Sequence, residues 1–554
     1  MSRPIDLRPD HAKIVQDILS EHLPVGASVR VFGSRAKWSA KTHSDLDLAL
    51  RGKDRLQLAL LADLAEAFSE SDLPFKVDVV DWRTVTRSFQ EVIDRDGVAL
   101  RLRNVAASER VATLRLGDHC EKIGSGATPR GGKETYSNEG PVSLIRSQNV
   151  LNDRFSRSGL AHISIEQAEQ LRNVEVKAGD VLLNITGDSV ARACQVDDGV
   201  LPARVNQHVA ILRPRPEEVD PRFLRYFLVS AWMQAYMLGL ASAGATRNAL
   251  TKSMVEDFRV PAFPIRAQRA IGSILGALDD KIDLNRRMNE TLEAMARAIF
   301  KDWFVDFGPT RAKMESRAPY LAPEIWALFP DRLDDEGKPE GWIVNTLRGL
   351  AAQSKGTIRT GPFGSQLHQS DYSLIGTPVV MPTNLTAGEI TEDGIARVDA
   401  KIAARLNDHA MSNGDIVYGR RGDIGRKALV GPDQAGWLCG TGCLRISIRS
   451  KQCPPIYIFH HLDRPEVRDW IAARAIGATM PNLNTGILGE VEILVPSPEI
   501  ASQYVEVVDP FLQRFRANIR ENKALAATRD LLLPKLMSGE IRVRDAEKIA
   551  EAVA

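Results

Sequence analysis

Five residues near the N-terminus have the types and spacing for metal-assisted phosphoryl transfer. Gly33 and Ser34 close an apolar run, SVRVFGS; after ten further residues come Asp45 and Asp47 in SDLDLAL, and FKVDVVDW supplies Asp78. Carboxylates two apart on a strand share a face, because strand side chains repeat every two residues. With Asp78 on a second strand-like run, Asp45 and Asp47 could hold two Mg²⁺ ions against a nucleotide's phosphates, the arrangement for in-line displacement at phosphorus. Gly33 and Ser34 would let backbone N–H groups and a hydroxyl come close to those phosphates. Arg35 is read as either a phosphate contact or a solvated side chain, and Asp81 as a strand-end residue rather than a ligand. These residues need a small α/β unit to position them. TRSFQEVIDRDGVALR (86–101) reads as the helix that closes it, within a domain over residues 1–105, and NVAASER as the hinge that follows.

The rest of the chain is internally duplicated. Asn149 matches Asn384, and Gly179-Asp180 matches Gly414-Asp415, both at an offset of 235 (384 − 149 and 414 − 179). Gly244-Ala245-Thr246 matches Gly477-Ala478-Thr479 at 233 (477 − 244), and DFRVPAFP (257–264) echoes VEILVPSP (491–498). The two Gly-Asp pairs read as turn residues. Ile271, Leu275, Leu278, Ile282, Asn285, Asn289 and Leu292 form a heptad seam, as do Tyr504, Val508, Phe511, Phe515, Asn518, Asn522 and Leu525. Such a 3.5-residue period packs long helices side by side, and asparagine on the seam fixes register and partner at a cost in stability. A helix from about Arg266 to Phe304 would be roughly 55 Å long at 1.5 Å per residue. Its counterpart starts near Pro498 and should end or kink at Pro534. Between the helices lie short β-like runs (DVLLNIT and VAILRP; DIVYGR and LRISIR) with Gly/Pro/Asn turns.

Composition narrows the remaining choices. A chain of 554 residues is too long for one core, and 44% hydrophobic with 26% charged residues is ordinary for a folded protein. A net charge of +1 neither supports nor excludes nucleic acid. Five scattered cysteines argue for buried thiols in a reducing cytosol rather than a metal site. No run approaches the ~18 apolar residues of a membrane span, so a cytoplasmic protein with no membrane association is expected. Gly126 through Lys133 is not a P-loop, since Glu134 stands where Ser or Thr would contact Mg²⁺. No Asn/Asp-Pro-Pro-aromatic string of amino-methyltransferases is present.

The order of domain, long helix, domain, long helix resembles the specificity subunit of type I restriction-modification enzymes. So do IGSGATPRGGKE, KAGDVLLNITGD, GATRNALTKSMVEDFRVP, KIDLNRRMNETLEAMARAIFKDWF, GATMPNLNTG and LLLPKLMSGEI. TGPFGSQLH (360–368) departs from the opening string of the first copy, as expected if the copies read different sequences. The resemblance implies a fold of two α/β target-recognition domains, 110–264 and 341–497. A pair of long antiparallel coiled-coil helices, 265–306 and 498–541, separates them, with a linker over 307–340. It also implies a subunit without chemistry or cofactor of its own, which binds a bipartite double-stranded DNA site. Methyltransferase subunits and a translocating restriction nuclease subunit are its implied partners, docked on the helices. Base and phosphate chemistry makes Arg130, Lys133, Arg146, Gln148, Asn149 and Arg192 the DNA-contact candidates in the first copy. Asn384, Arg420, Arg421 and Arg426 are those of the second.

The motif Gly33-Ser34, ten residues, Asp45-x-Asp47 resembles the minimal nucleotidyltransferase fold of the polymerase-beta superfamily. That resemblance implies Mg²⁺, a nucleoside triphosphate (often ATP) and, in some members, a partner toxin's tyrosine as acceptor. Intact carboxylates allow either a working transferase or a nucleotide-binding remnant. The alternative reading of the whole chain is an antitoxin-like nucleotidyltransferase tethered to a DNA-recognition scaffold.

Overall fold

The computed structural model describes residues 5–553 except 24–26, 38–43, 53–55, 57, 101–111, 243–247, 387, 422–423 and 476–481. The hinge NVAASER and both Gly-Ala-Thr strings of the repeat lie outside the described residues, as does the Lys133 side chain.

The front unit alternates helices α1 (Pro9–His22), α2 (Gly33–Ala36), α3 (Leu58–Ser69) and α4 (Arg87–Asp96) with strands β1 (Ser28–Phe32), β2 (Leu46–Arg51), β3 (Val77–Asp81) and β4 (Val98–Leu100). The sheet order is β3-β2-β1-β4; β1 pairs antiparallel with β2 and β4, whereas β2 and β3 are parallel. Parallel neighbours require a crossover, which α3 supplies. Alternation places Val29, Val31, Leu46, Leu48, Leu50 and Val77 in one core with Val15, Leu19, Leu64 and Phe68 of the helices. Residues 86–101 are not one helix. Apolar spacing switches from helical to alternate at Gly97, so α4 stops there, and Val98 and Leu100 pair with Val31 and Val29 as an edge strand.

The two copies share the strand order of one sheet and the parallel core of a second. In the first, Ala193–Gln195, Val181–Asn184, Val209–Pro214 and Cys120–Ser125 make an antiparallel sheet in that spatial order. In the second, Lys427–Leu429, Ile416–Gly419, Cys443–Ser447 and Thr357–Thr360 repeat it. A second sheet holds a parallel pair in each copy, Val142–Ile145 with Ala203–Val205 and Thr377–Val380 with Leu438–Cys439. Each copy closes with a two-stranded ribbon joining its start to the strand before its long helix. The repeated Gly-Asp turns are built alike. Gly179 and Gly414 have φ of 82° and 83°, and Asp180 and Asp415, each 1% exposed, bind the guanidinium groups of Arg213 and Arg449 at 2.7 and 2.8 Å.

The long helices span Ile265–Phe304 and Pro498–Ser538 and pack antiparallel, so the start of each meets the end of the other. Asn518 Nδ2 donates to Asn289 Oδ1 at 2.7 Å, and Asn285 Nδ2 donates to Asn522 Oδ1 at 3.0 Å and to Glu521 at 2.9 Å. The second helix continues past Pro534 to Ser538 and is stopped by Gly539 at φ 76°. Burial of Leu532, Leu533, Leu536 and Met537 against the first copy holds this last stretch helical despite the missing N–H. Residues 307–340 carry short helices, Gly308–Met314 and Pro323–Trp326, and tuck Phe329 beside Trp303 with ring centroids 5.2 Å apart.

Where each copy meets the helix pair, the two differ. In the first, Arg225 lies 2.9 Å from Asp153 and 2.7 Å from Asp279, and Arg529 bonds Asp279 at 2.8 Å and also Asp153. The residues at the repeat offsets of 233–235 in the second copy are Gly388, Phe459, Leu512 and Ala296, which line a mainly apolar cavity of about 80 Å³.

Candidate functional site

The carboxylates of the front unit stand on adjacent strands. Asp47 in β2 is level with Asp78 in β3 and with Phe32 in β1, and Asp45 precedes β2 by one residue. Gly33 opens α2 with φ 75°, and a Cβ there would lie 2.1 Å from Asp47 Oδ2, so the backbone closes directly over that carboxylate. Ser34 follows on the first turn of α2. Burial first, then the charges of Asp78 and Asp45, hold the Asp47 carboxyl above its usual range. Among the described residues no three His, Cys, Asp or Glu side chains are gathered closely enough to hold an ion. The donor set still fits a divalent cation of the Mg²⁺ type: oxygen ligands alone, on one face, with mutual repulsion that a cation would relieve.

Arg35 is neither a phosphate contact nor a solvated side chain. It is 7% exposed, donates to the Ser44 carbonyl at 2.7 and 3.1 Å and to the Asp6 carbonyl at 3.1 Å, and lies 3.9 Å over the Phe75 ring. It therefore holds the segment that delivers Asp45. Asp81 is buried at the end of β3 and accepts from the N–H groups of Leu56 and Arg83 at 3.0 and 2.9 Å. One residue escaped the sequence reading: Lys76, whose Nζ lies 2.6 Å from Asp78 Oδ1. Its signal was its place two residues before Asp78, on the same strand face.

The DNA-contact candidates divide by burial. Asn149 and Asn384 are 0% and 2% exposed. Asn149 accepts from the Arg146 N–H at 3.0 Å and donates to the Ser156 carbonyl at 3.0 Å; Asn384 accepts from the Met381 N–H at 3.0 Å. Their amides are spent folding matching turns, which removes them as base contacts. Arg420 is 8% exposed and donates to Asn482 at 3.2 Å, so it too is a structural side chain. Arg146 is half-buried, donates to the Gly159 carbonyl at 2.6 Å and shares that acceptor with Gln148. Arg130, Gln148, Arg192, Arg421 and Arg426 stand at the surface. The opening strings of the two copies differ, but both keep a glycine: a Cβ at Gly126 or Gly361 would meet the carbonyl oxygens of Val205 and Gly440 at 1.9 and 1.8 Å. The loops are pinned alike and differ in what they present.

The comparisons with known proteins divide the chain at the same place. Residues 108–294 match the family described as "Type I restriction modification DNA specificity domain", and residues 13–105 match "Polymerase beta, Nucleotidyltransferase". The chain is 26% identical over 447 residues to the type I restriction enzyme HindI specificity subunit of Haemophilus influenzae, covering 72% of this chain and 94% of that protein. It is 41% identical over 97 residues to the probable protein adenylyltransferase MntA of the same organism, covering 18% of this chain and 84% of that one. The solved S subunit of a type I system from M. genitalium aligns with a TM-score of 0.46 at 15% identity over 78% of this chain and 97% of that one.

The class is thus a DNA-specificity chain with a nucleotidyltransferase domain ahead of it. Residues 108–294 carry a type I restriction-modification DNA specificity domain, residues 13–105 belong to the polymerase-beta nucleotidyltransferases, and the chain is homologous to type I specificity subunits.

Proposed function

We propose that the two copies read the two halves of a bipartite double-stranded DNA site, and that the antiparallel helix pair sets the distance between them. The observation that carries this reading is one strand topology repeated at both ends of a helix pair tied by buried asparagines. Rigid spacing of two heads suits a split target, as half-site spacing does in dimeric DNA readers. The surface residues Arg130, Gln148, Arg192, Arg421 and Arg426 are the proposed contacts, with Arg146 and Lys133 beside them. Methyltransferase subunits, and a restriction subunit for cleavage, are the proposed partners on the helices. No described helix is long and apolar enough to cross a membrane, and the proposed seat is the cytoplasm, where DNA and nucleotide are at hand.

For the front unit the proposed reaction is transfer of a nucleotidyl group, from ATP by preference, onto a hydroxyl of a partner protein, with pyrophosphate leaving. Bound Mg²⁺ would supply charge neutralisation at the phosphates. Asp45, Asp47 and Asp78 would hold the ions, Gly33 would let the backbone approach the triphosphate, and Arg35 would keep Asp45 in place through Ser44.

Co-expression with a methyltransferase subunit, then size-exclusion chromatography and DNA retention, tests the first part. Co-elution with retention of a bipartite site is expected; neither appearing would refute it. Incubation with α-labelled ATP, Mg²⁺ and candidate partner proteins tests the second. Label should pass to protein and be abolished by Asp45→Ala with Asp47→Ala, while DNA retention stays unchanged.

A further inference from the structure

Four polar side chains, not three, gather where β2 and β3 begin: Asp47 and Asp78 within the strands, Asp45 and Lys76 just before them. Asp47 is level with Asp78, and the Leu46 N–H donates to the Lys76 carbonyl at 2.8 Å at the first pair of the parallel ladder, Leu46 with Val77, so Asp45 and Lys76 each stand immediately before it. Side chains two apart on a strand share a face. Asp45, Asp47, Lys76 and Asp78 therefore mark the corners of a quadrilateral, with neighbours across the strands roughly 5 Å apart at Cβ. Three corners are negative and the fourth is an ammonium 2.6 Å from Asp78 Oδ1. Asp78, then Asp45 and Asp47, favour the charged form of Lys76. Lys76 and Asp78 side chains are 71% and 44% exposed, so as a surface ion pair this contact stabilises the fold little. What sets it apart is its place: a fixed positive charge where three carboxylates would otherwise repel one another.

We propose that Lys76 is the resident counter-ion of the carboxylate site, occupying part of the space of a divalent cation and competing with it for Asp78. In the metal-free chain the ammonium on Asp78 offsets part of the mutual repulsion of the three carboxylates. A divalent ion then binds by displacing Lys76 from Asp78, which makes uptake weaker than the carboxylates alone would give. Lys76 is a positioning residue in this scheme. The proposal rests on the metal-binding reading of Asp45, Asp47 and Asp78.

The test is Mn²⁺ binding by the full-length chain without nucleotide, followed by the electron paramagnetic resonance of free Mn²⁺. Lys76→Met should bind Mn²⁺ at least about threefold more tightly than the parent, since one unit charge at contact distance is removed in a solvent-exposed setting. Lys76→Arg should stay near the parent, because the positive charge is kept. Asp45→Ala with Asp47→Ala should lose the ion. Unchanged or weaker binding by Lys76→Met, with loss in the double aspartate variant, overturns the counter-ion role and leaves the metal-site reading standing. Mn²⁺ retained at parental affinity by the double aspartate variant overturns both, as does no uptake by either the parent or Lys76→Met.

Discussion

The asparagines of the helix pair make an unequal prediction that can be worked out atom by atom. Asn518 Nδ2 donates to Asn289 Oδ1 at 2.7 Å, while Asn518 Oδ1 is buried without a partner. Asn289 Nδ2 also donates to the Phe515 carbonyl at 3.3 Å and bonds the Glu389 carboxyl. A buried donor or acceptor left unpaired costs about 1–3 kcal/mol. Asn289→Leu leaves the whole Asn518 amide unpaired and takes a bond from Glu389, so the helix pair should lose about 2–3 kcal/mol. Asn518→Leu orphans Asn289 Oδ1 but removes the Oδ1 that is already orphaned, so its effect should stay within about 1 kcal/mol. The double variant removes both amides and should recover at least about 1 kcal/mol over Asn289→Leu. A chain of several domains does not unfold in two states. The assay is therefore hydrogen exchange of peptides from 282–296 and 511–525, which reports local opening free energies. Equal losses in the two single variants that add in the double to within about 0.5 kcal/mol would refute this account of the seam.

Two further predictions concern the junctions. Arg529→Met leaves Asp153 and Asp279 facing each other beside a single arginine; loss of one partner of a largely buried network costs about 3 kcal/mol. Limited proteolysis should show residues 112–264 opening sooner while 341–497 keeps its protection, and equal protection of both would count against the network's role. Glu389 at the second junction is raised to about 7, by burial first and by Glu293 second. A carboxyl whose folded pKa is raised adds stability fully present below its unfolded value and lost as pH rises through the folded one. Glu389→Gln does not titrate, so the local opening free energy at this junction, read by hydrogen exchange, should gain on the parent between about pH 5 and 7.5, by up to about 2 kcal/mol after allowance for partial exposure. A gap independent of pH would contradict the assignment.

What the sequence makes legible follows from how far apart in the chain the interacting groups lie. Asp45 and Asp47 are readable because strand alternation fixes their common face within three residues. The heptad seams are readable because one period runs through each helix and recurs. Arg35 and Asn149 deceived for a shared reason: guanidinium and amide groups suit backbone carbonyls as well as they suit phosphates and bases. Nothing in a local string tells which acceptor they meet. Arg35 is spent on Ser44 and Asp6, and Asn149 on the turn it closes. Residues 86–101 misled at Gly97, where apolar spacing changes from helical to alternate within one short stretch.

The junctions lay beyond sequence reasoning altogether, because Arg529 and Asp153 are separated by 376 residues and meet only through the antiparallel return of the second helix. Their difference matters for the proposed function. If both heads were attached alike, the repeat would behave as a symmetric dimer read out in one chain. Instead the first head meets the helices through the largely buried network of Asp153, Arg225, Asp279 and Arg529, which salt screens little. The second meets them around a mainly apolar cavity lined by Phe459 and Leu512, and through the ion pairs Arg520–Asp433 and Lys523–Glu392, whose side chains are largely exposed. Two heads with the same strand order are thus fastened to one helical spacer by charge pairs that differ in their burial. Raising ionic strength should therefore weaken the exposed pairs of the second head more than the buried network of the first, over and above the common loss of phosphate contacts that any DNA reader suffers.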